Sequence, residues 1–414
     1  MKRRDFLKRA SIMPLVARSS LLGTAMLTNI KKAYAANGKS LIVIFQRGGC
    51  DGLNVTVPYG EDEYYNLRPD IAIPAPSASP DSALDLDGFF GLHPAATGLY
   101  DIYQKGDLAI LPTVHYSNAN RSHFSSQDFI ESGMANQALP NGWLNRYLSS
   151  SSTNNNNTIR ALSFTELAHS LQGNTPVPTV STLSTPNDQF NELQINTLQK
   201  ILNQSVSNKN QAHTLIHKHG KLALKDLSNL ETFTNITYTP ENGATYPDTN
   251  YGQQLKNIAQ LIKADIGLEV TTVSSNNWDT HANQGGVTGD QATKLTDFSD
   301  GINALYTDLG SVYMSDVTIL TVTEFGRTAK QNASLGTDHG NASTWFVIGK
   351  QVNGGIYGTW PGLMPDQLYK GRYLEHTIEF TDIYADLIKN HLSAGENLPF
   401  ILPGGQYQPI GILS

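Results

Sequence analysis

The sequence repeatedly sets carboxylates, imidazoles and hydroxyls just after short apolar runs. Asp51 follows LIVIFQRGGC, and Arg121, Ser122 and His123 come shortly after DLAILPTV. Asp279 and His281 lie in NWDTHANQ, after LEVTTVSS; Glu324 ends VTILTV and is trailed by Arg327; Asp338 and His339 lie in SLGTDHGNAS, ahead of STWFVIGK. Oxygen and nitrogen donors without a thiolate suit zinc, manganese, magnesium or calcium better than a sulfur-preferring metal. Each residue also has an ordinary structural role open to it. Asp51 after two glycines can cap a turn, Ser122 and Asp128 can cap a helix carrying Phe124, Phe129 and Ile130, and Glu324 can pair with Arg327. His281 can be a satisfied structural histidine, as His93 and His115 are expected to be, and Cys50 reads as a small packed side chain. Helix caps do not, however, require Asp-x-His and Asp-His together, so a shared polar site is the better reading.

Such a site needs strands that all end at one edge. Leu41 to Phe45 is a continuous apolar run feeding a glycine-rich turn, the pattern of a strand buried on both faces. HPAATGLYDIYQKG has helical spacing and precedes the buried run Asp107 to Val114. The alternation returns with LIKADIGLEVTTVSS, the helix-like DFSDGINALYTDLGSVYM, DVTILTVTEFG and STWFVIGK. Strands alternating with helices predict a three-layer α/β/α fold around a mostly parallel sheet, with ligands bound beyond the carboxyl ends of the strands. Ser149 to Thr158 reads as a polar loop. Residues from about 189 to 250 read as a helical insertion ending in a tyrosine-rich loop, so 36–414 is expected to be one domain.

Residues 1–35 carry Arg3-Arg4-Asp5-Phe6-Leu7-Lys8 and close on Ala33-Tyr34-Ala35, a small-x-small cleavage site. This reads as a twin-arginine export signal. Its middle is interrupted by Pro14, Arg18, Ser19 and Ser20, which argues against stable membrane insertion after cleavage. The expected destination is the periplasm or the exterior, reached by a chain already folded. The full chain has 29 Lys+Arg and 36 Asp+Glu; residues 1–35 hold eight of the basic side chains and one acidic, leaving 21 against 35, a net of −14. So acidic a chain argues against nucleic acid as a partner, while leaving room for a local basic site. A single cysteine, Cys50, excludes an intrachain disulfide, so stability must come from a core.

The twin-arginine start, FQRGGCDGLNVTVPYGEDEYYNLRP, HPA, RSHFSSQDFIESG, NWDTHANQ, TEFGRT and TDHGNASTWFVIG together resemble the DUF1501 family of exported bacterial proteins, over about Ser40 to Leu392. The resemblance implies kinship with the alkaline phosphatase and sulfatase superfamily: an alkaline phosphatase-like α/β/α fold with a two-metal site. It makes Asp51 a carboxylate shared between metals and Ser122 a nucleophile at a helix N-terminus. Asp279 and His281 become one metal's pair, spaced more tightly than the superfamily's usual Asp-x-x-x-His. Two threadings place the second pair. One takes Asp338 and His339 as ligands; the other puts Glu324 in the aspartate position and Phe325 where a histidine is expected, with His339 as the later ligand.

The implied mechanism is in-line displacement on a phosphate or sulfate ester, with Arg121 or Arg327 holding the remaining oxygens of the anionic, small-molecule substrate. The chain lacks the Cys-x-Pro-x-Arg segment from which sulfatases make formylglycine, which disfavours that chemistry. The alternative is a non-catalytic binding or assembly protein of the cell envelope that keeps the fold and acts with an exported protein partner.

Overall fold

The computed structural model describes residues 38–135, 137–151, 159–181, 183, 230 and 237–413. The export segment, most of the polar loop after Ser151 and the region read as helical from Gln189 to Leu230 lie outside the described residues, apart from Leu230 itself.

Strand β1, Ser40–Gln46, is the first apolar run of the described residues, and it is buried along nearly its whole length. The other strands of its sheet are β2 (Leu108–His115), β3 (Ala161–Phe164), β4 (Thr179–Val180), β5 (Val270–Ser275), β6 (Val317–Val322), β7 (Ser343–Ile348), β8 (Gly355–Ile356) and β9 (Ile378–Glu379); Thr56–Val57, Leu84–Asp85 and Gly91–Leu92 pair in a separate small sheet. Among the described residues these nine form one sheet in the order β8-β2-β7-β6-β1-β5-β3-β4, with β9 also pairing β2. β1 lies parallel between β5 and β6, with Leu41 opposite both Val270 and Thr318. Only β7 runs against the rest, antiparallel to both β2 and β6. The sheet is thus mostly parallel, and the fold is mixed α/β.

Alternation along β1 separates two cores, because successive side chains leave a strand on opposite faces. Ile42 and Ile44 pack with Leu99 and Ile102 of α1 (Thr97–Gln104), Leu255 and Ile258 of α4 (Asn250–Lys263), and Phe298 and Ile302 of α5 (Asp290–Met314). Leu41, Val43 and Phe45 face the other way, toward Ile130 of α2 (His123–Ser132), Leu144 and Tyr147 of α3 (Trp143–Ser150), and Ile383 and Tyr384 of α6 (Phe380–Asp386). Helices therefore cover both faces, giving three layers. Part of the tyrosine-rich loop is pinned by Asp308, a fully buried carboxylate that accepts from the hydroxyls of Tyr238 and Tyr246 and from Lys263 Nζ. No helix among the described residues is long and apolar enough to cross a membrane.

The parallel pairing decides where the polar segments emerge. Gln46 is opposite Ser275 and Phe45 opposite Val322. Residues 47–51, 276–281 and 323–327 therefore leave the sheet side by side at its carboxyl edge. The antiparallel direction of β7 means that residues 323–342 must return to the same edge before Ser343, carrying Asp338 and His339 with them. β2 ends there too, and its loop delivers Arg121 to His123.

Candidate metal centre

Two glycines make room for the centre. Gly48 has φ 124°, and a Cβ there would meet the backbone nitrogen of Asp279 at 2.5 Å. Gly49, at φ 74°, would place a Cβ 2.5 Å from the ring of Phe325. Any other residue would both strain the backbone and push back the loops that carry Asp279 and Glu324.

Three imidazoles and one carboxylate converge in front of this turn. His339 Nε2 lies 3.0 Å from His123 Nε2 and 3.0 Å from His281 Nε2. Asp279 Oδ1 lies 3.0 Å from His281 Nε2 and 3.2 Å from His339 Nε2, and Asp279 Oδ2 is 3.5 Å from His123 Nε2. Donors placed about 2.0–2.1 Å from one tetrahedral ion would stand roughly 3.3–3.4 Å apart; the donors of His123, Asp279 and His339 all lie within 4.8 Å of one another and could gather on such an ion, with His281 beside them against His339 and Asp279.

The outer nitrogens define the tautomers. His123 Nδ1 is 2.7 Å from Glu324 Oε1, His339 Nδ1 is 2.9 Å from the carbonyl oxygen of Arg121, and His281 Nδ1 is 3.4 Å from Asp338 Oδ1. All three partners are acceptors, and for His123 and His339 they are nearer than any acceptor on the inner side, so in those neutral rings Nδ1 carries the proton and donates outward; His281 has Asp279 Oδ1 3.0 Å from Nε2, nearer than Asp338 is to Nδ1. The Nε2 lone pairs of His123 and His339 then face one another, a repulsive arrangement that a shared cation would reverse. Imidazoles oriented by carboxylates and a carbonyl on the far nitrogen are the usual support of a metal ligand set.

Electrostatics follow the same plan. Glu324 is completely buried, and burial alone would raise its pKa. Hydrogen bonds from His123, from Gln127 Nε2 (2.9 Å) and from the Gly48 N–H (2.9 Å) outweigh that and hold it below the ordinary value. Its hydrogen bond raises the pKa of His123 against the opposing effect of burial. Burial, with the neighbouring His123 and Arg327 charges, lowers that of His339. The cluster therefore resists holding a full set of protons. Burial works against ionised Asp279, but Arg327, 2.5 Å away, prevails and lowers its pKa. Asp338 is likewise held low, with burial outweighed by Asn332, His281 and Arg372.

The residues singled out in the sequence thus separate by position. Asp279, His281 and His339 meet, whereas Glu324 and Asp338 stand one step further out, each against the Nδ1 of a converging histidine. Arg327 is buried, and its donors go to the carbonyl oxygens of Gly48, Gly49, Trp278 and Thr337 and to Asp279 rather than to Glu324. Ser122 precedes α2 and is exposed, with no capping hydrogen bond from its hydroxyl.

Asp51 lies apart from the imidazoles. Its carboxylate receives both terminal nitrogens of the buried Arg68, at 2.6 and 2.8 Å, and Nε2 of Gln284 at 2.6 Å. Gln284 Oε1 in turn accepts from Thr280 and Thr337, the neighbours of His281 and Asp338. Asp51 therefore braces the loops that carry the centre. His93 accepts from the Ala95 N–H and contacts the Gly286 carbonyl, a structural role, and Cys50 is packed beneath Gln46.

Sequence reading had placed His123 beside the site without giving it a part. The available signal was an imidazole at the first position of a helix that starts at the carboxyl edge. Arg68, Gln127 and Gln284 carried no signal, since only the folded loops bring them into contact.

The fold is similar to several solved structures. They include a sulfatase from Pseudoalteromonas sp. (10% identity, TM-score 0.42, covering 91% of this chain and 72% of that one). A phosphonate monoester hydrolase of Agrobacterium radiobacter is similar at 10% identity and TM-score 0.35, over 89% and 79% of the two chains. The alkaline phosphatase from the Antarctic bacterium TAB5 follows at 10% identity and TM-score 0.31, over 89% and 99%. Likenesses this distant assign neither substrate nor reaction. No protein of curated function matches the chain. The model of the family described as "Protein of unknown function (DUF1501)" matches residues 38–400, most of the 414-residue chain, and the protein belongs to that family.

Proposed function

We propose that the protein is an exported metal-dependent hydrolase of phosphate or sulfate esters, with a divalent ion held by His123, Asp279, His281 and His339. The observation that carries this reading is the convergence of His123 Nε2, His339 Nε2 and the Asp279 carboxylate within 4.8 Å of one another, with His281 Nε2 adjoining His339 and Asp279 and the outer nitrogen of each ring tied to an oxygen acceptor. A divalent ion in such a site supplies Lewis acidity, polarising an ester oxygen and favouring a nucleophile beside it.

The chain's own residues divide the remaining work. Glu324, Asp338 and the Arg121 carbonyl fix the ring orientations, and Arg327 fixes the Asp279 carboxylate. Ser122 is the candidate nucleophile. It sits at the N-terminus of the ten-residue α2, where unpaired peptide N–H groups and the helix dipole favour an anionic group. Arg327 is fully engaged within the protein, so its guanidinium holds Asp279 and the surrounding carbonyl oxygens rather than substrate. Because Asp51 is committed to Arg68 and Gln284, the reading carries one ion at the imidazoles rather than two sharing Asp51.

One observation favours the second reading, a binding or assembly protein of the cell envelope. Among the described residues the Ser122 hydroxyl has no hydrogen bond to a base. A panel of phosphate and sulfate mono- and diesters, assayed on metal-loaded protein, separates the two readings. Turnover that vanishes with chelator, returns with added metal and falls at least a hundredfold in Ser122→Ala with fold and metal retained supports the hydrolase. Metal-loaded protein that turns over no ester supports the binder.

A further inference from the structure

Outside the ring of imidazoles lies a second polar feature. Tyr373 is buried to 8% exposure, and the Arg121 guanidinium carbon stands 4.6 Å from its ring centroid. The guanidinium carbon of Arg372 stands 5.7 Å from the same ring. The turn that presents Arg372 is closed by backbone hydrogen bonds between Tyr369 and Tyr373, and it also presents Lys370. Two guanidiniums thus lie against Tyr373 and an ammonium against the neighbouring Tyr369, on a chain with a formal net charge of −7.

These cations are not used up by the protein. Among the described residues the half-buried Arg121 guanidinium has no hydrogen-bond acceptor; it is held in place by the aromatic face alone. A guanidinium taken partly out of water without an acceptor is costly, and its five donors in a fixed fork match an oxyanion. Besides the Tyr373 ring, the Arg372 guanidinium has one hydrogen-bond acceptor among the described residues, Asp338 Oδ2 at 3.1 Å, and its side chain is 55% exposed.

Their placement relative to the centre is also informative. Arg121 attaches to the outer nitrogen of His339 through its carbonyl, and Arg372 reaches the outer nitrogen of His281 through Asp338. The Nε2 atoms face inward, so the Arg121 carbonyl and Asp338 stand behind the rings, while both guanidiniums lie against Tyr373. A group bound against Tyr373 would be held by side chains other than the converging donors.

We propose that Arg121, Tyr373 and Arg372 form an anion subsite beside the imidazole centre that takes a second sulfate or phosphate group of the substrate. The protein would then select substrates carrying more than one oxyanion. The part played by the centre rests on the hydrolase reading above, whereas anion binding at the rim does not.

Binding of fluorescently labelled sulfated dextran, polyphosphate and uncharged dextran, measured at 0.15 M salt, tests the subsite. Wild-type protein should bind at least one charged probe and not the neutral one, and the tighter of the two charged probes identifies sulfate or phosphate as the source. Arg121→Gln and Arg372→Gln should each weaken binding about fivefold, and together more than tenfold, as expected for partly exposed charge-assisted contacts. Melting temperatures should stay close to wild type. Asp279→Ala, which disables the centre, should still bind the charged probe. Equal binding of neutral dextran, unchanged affinity in the double variant, or loss of binding in Asp279→Ala would each overturn the subsite. Rim binding without ester turnover would remove the hydrolase reading alone.

Discussion

His123 Nδ1 lies 2.7 Å from Oε1 of Glu324, whose side chain is wholly buried and also accepts from Gln127 and the Gly48 N–H. The carboxylate thereby fixes which nitrogen of His123 faces the cluster and raises its basicity. Glu324→Gln keeps the shape but removes the charge. Metal affinity should fall about 10- to 100-fold, the usual effect of losing an outer partner, rather than vanish. Competition with a chelator of known affinity measures this; a variant that binds metal as tightly as wild type would leave Glu324 a packing residue only.

Asp51 and Arg68 give the opposite kind of test. Arg68→Met leaves an uncompensated carboxylate in the interior and should destabilise the fold by about 3–5 kcal/mol in denaturant unfolding. Asp51→Asn, if folded, should retain its metal, because the carboxylate serves Arg68 and Gln284. Loss of metal from a folded Asp51→Asn would restore Asp51 as a ligand.

The apolar runs of β1, β2, β6 and β7 were legible because each is long enough to be a strand and too apolar for an exposed one; β5, VTTVSS, was legible from its β-branched residues and its place in the strand-helix alternation. Their shared edge followed from the strand-helix alternation. The direction of β7 was not legible, since a strand buried on both faces reads alike in either direction. Nor did spacing separate inner from outer partners. Asp338 and His339 are adjacent in the chain, yet their side chains differ in reach, and only the folded loop sets Asp338 behind His281. Arg68 lies seventeen positions beyond Asp51, and no periodicity connects the two.

Acid should weaken the fold through buried neutral histidines. Burial lowers the pKa of His391 from 6.5 to about 4 in the folded state. Its ring lies between Thr318 Oγ1 and the Ser40 carbonyl. The unfolded chain takes up this proton below about pH 6.5 while the folded chain does not, so the contribution is complete above that pH. It is lost as pH falls toward 4, on the order of 3 kcal/mol. His115, lowered by burial to about 3, acts in the same direction. His391→Gln should flatten the loss of unfolding free energy between pH 7.5 and 5; an unchanged slope would remove His391 from the account.

The proposed export rests on Arg3 and Arg4, with Ala33-Tyr34-Ala35 as the proposed cleavage site. Replacing both arginines by lysine should hold the precursor in the cytoplasm, detected by fractionation and mass. A mature chain beginning near Ala36 outside the cytoplasm of that variant would contradict the twin-arginine route.

Metal content of protein purified from its own compartment tests the central claim most directly. Wild type should carry about one divalent ion per chain, with a melting temperature that falls on chelation, because binding energy is linked to folding. Asp279→Ala should carry little metal and melt at a temperature indifferent to chelator. Wild-type protein without stoichiometric metal, whose melting ignores chelator and added zinc or manganese alike, would contradict a metal centre at His123, Asp279, His281 and His339.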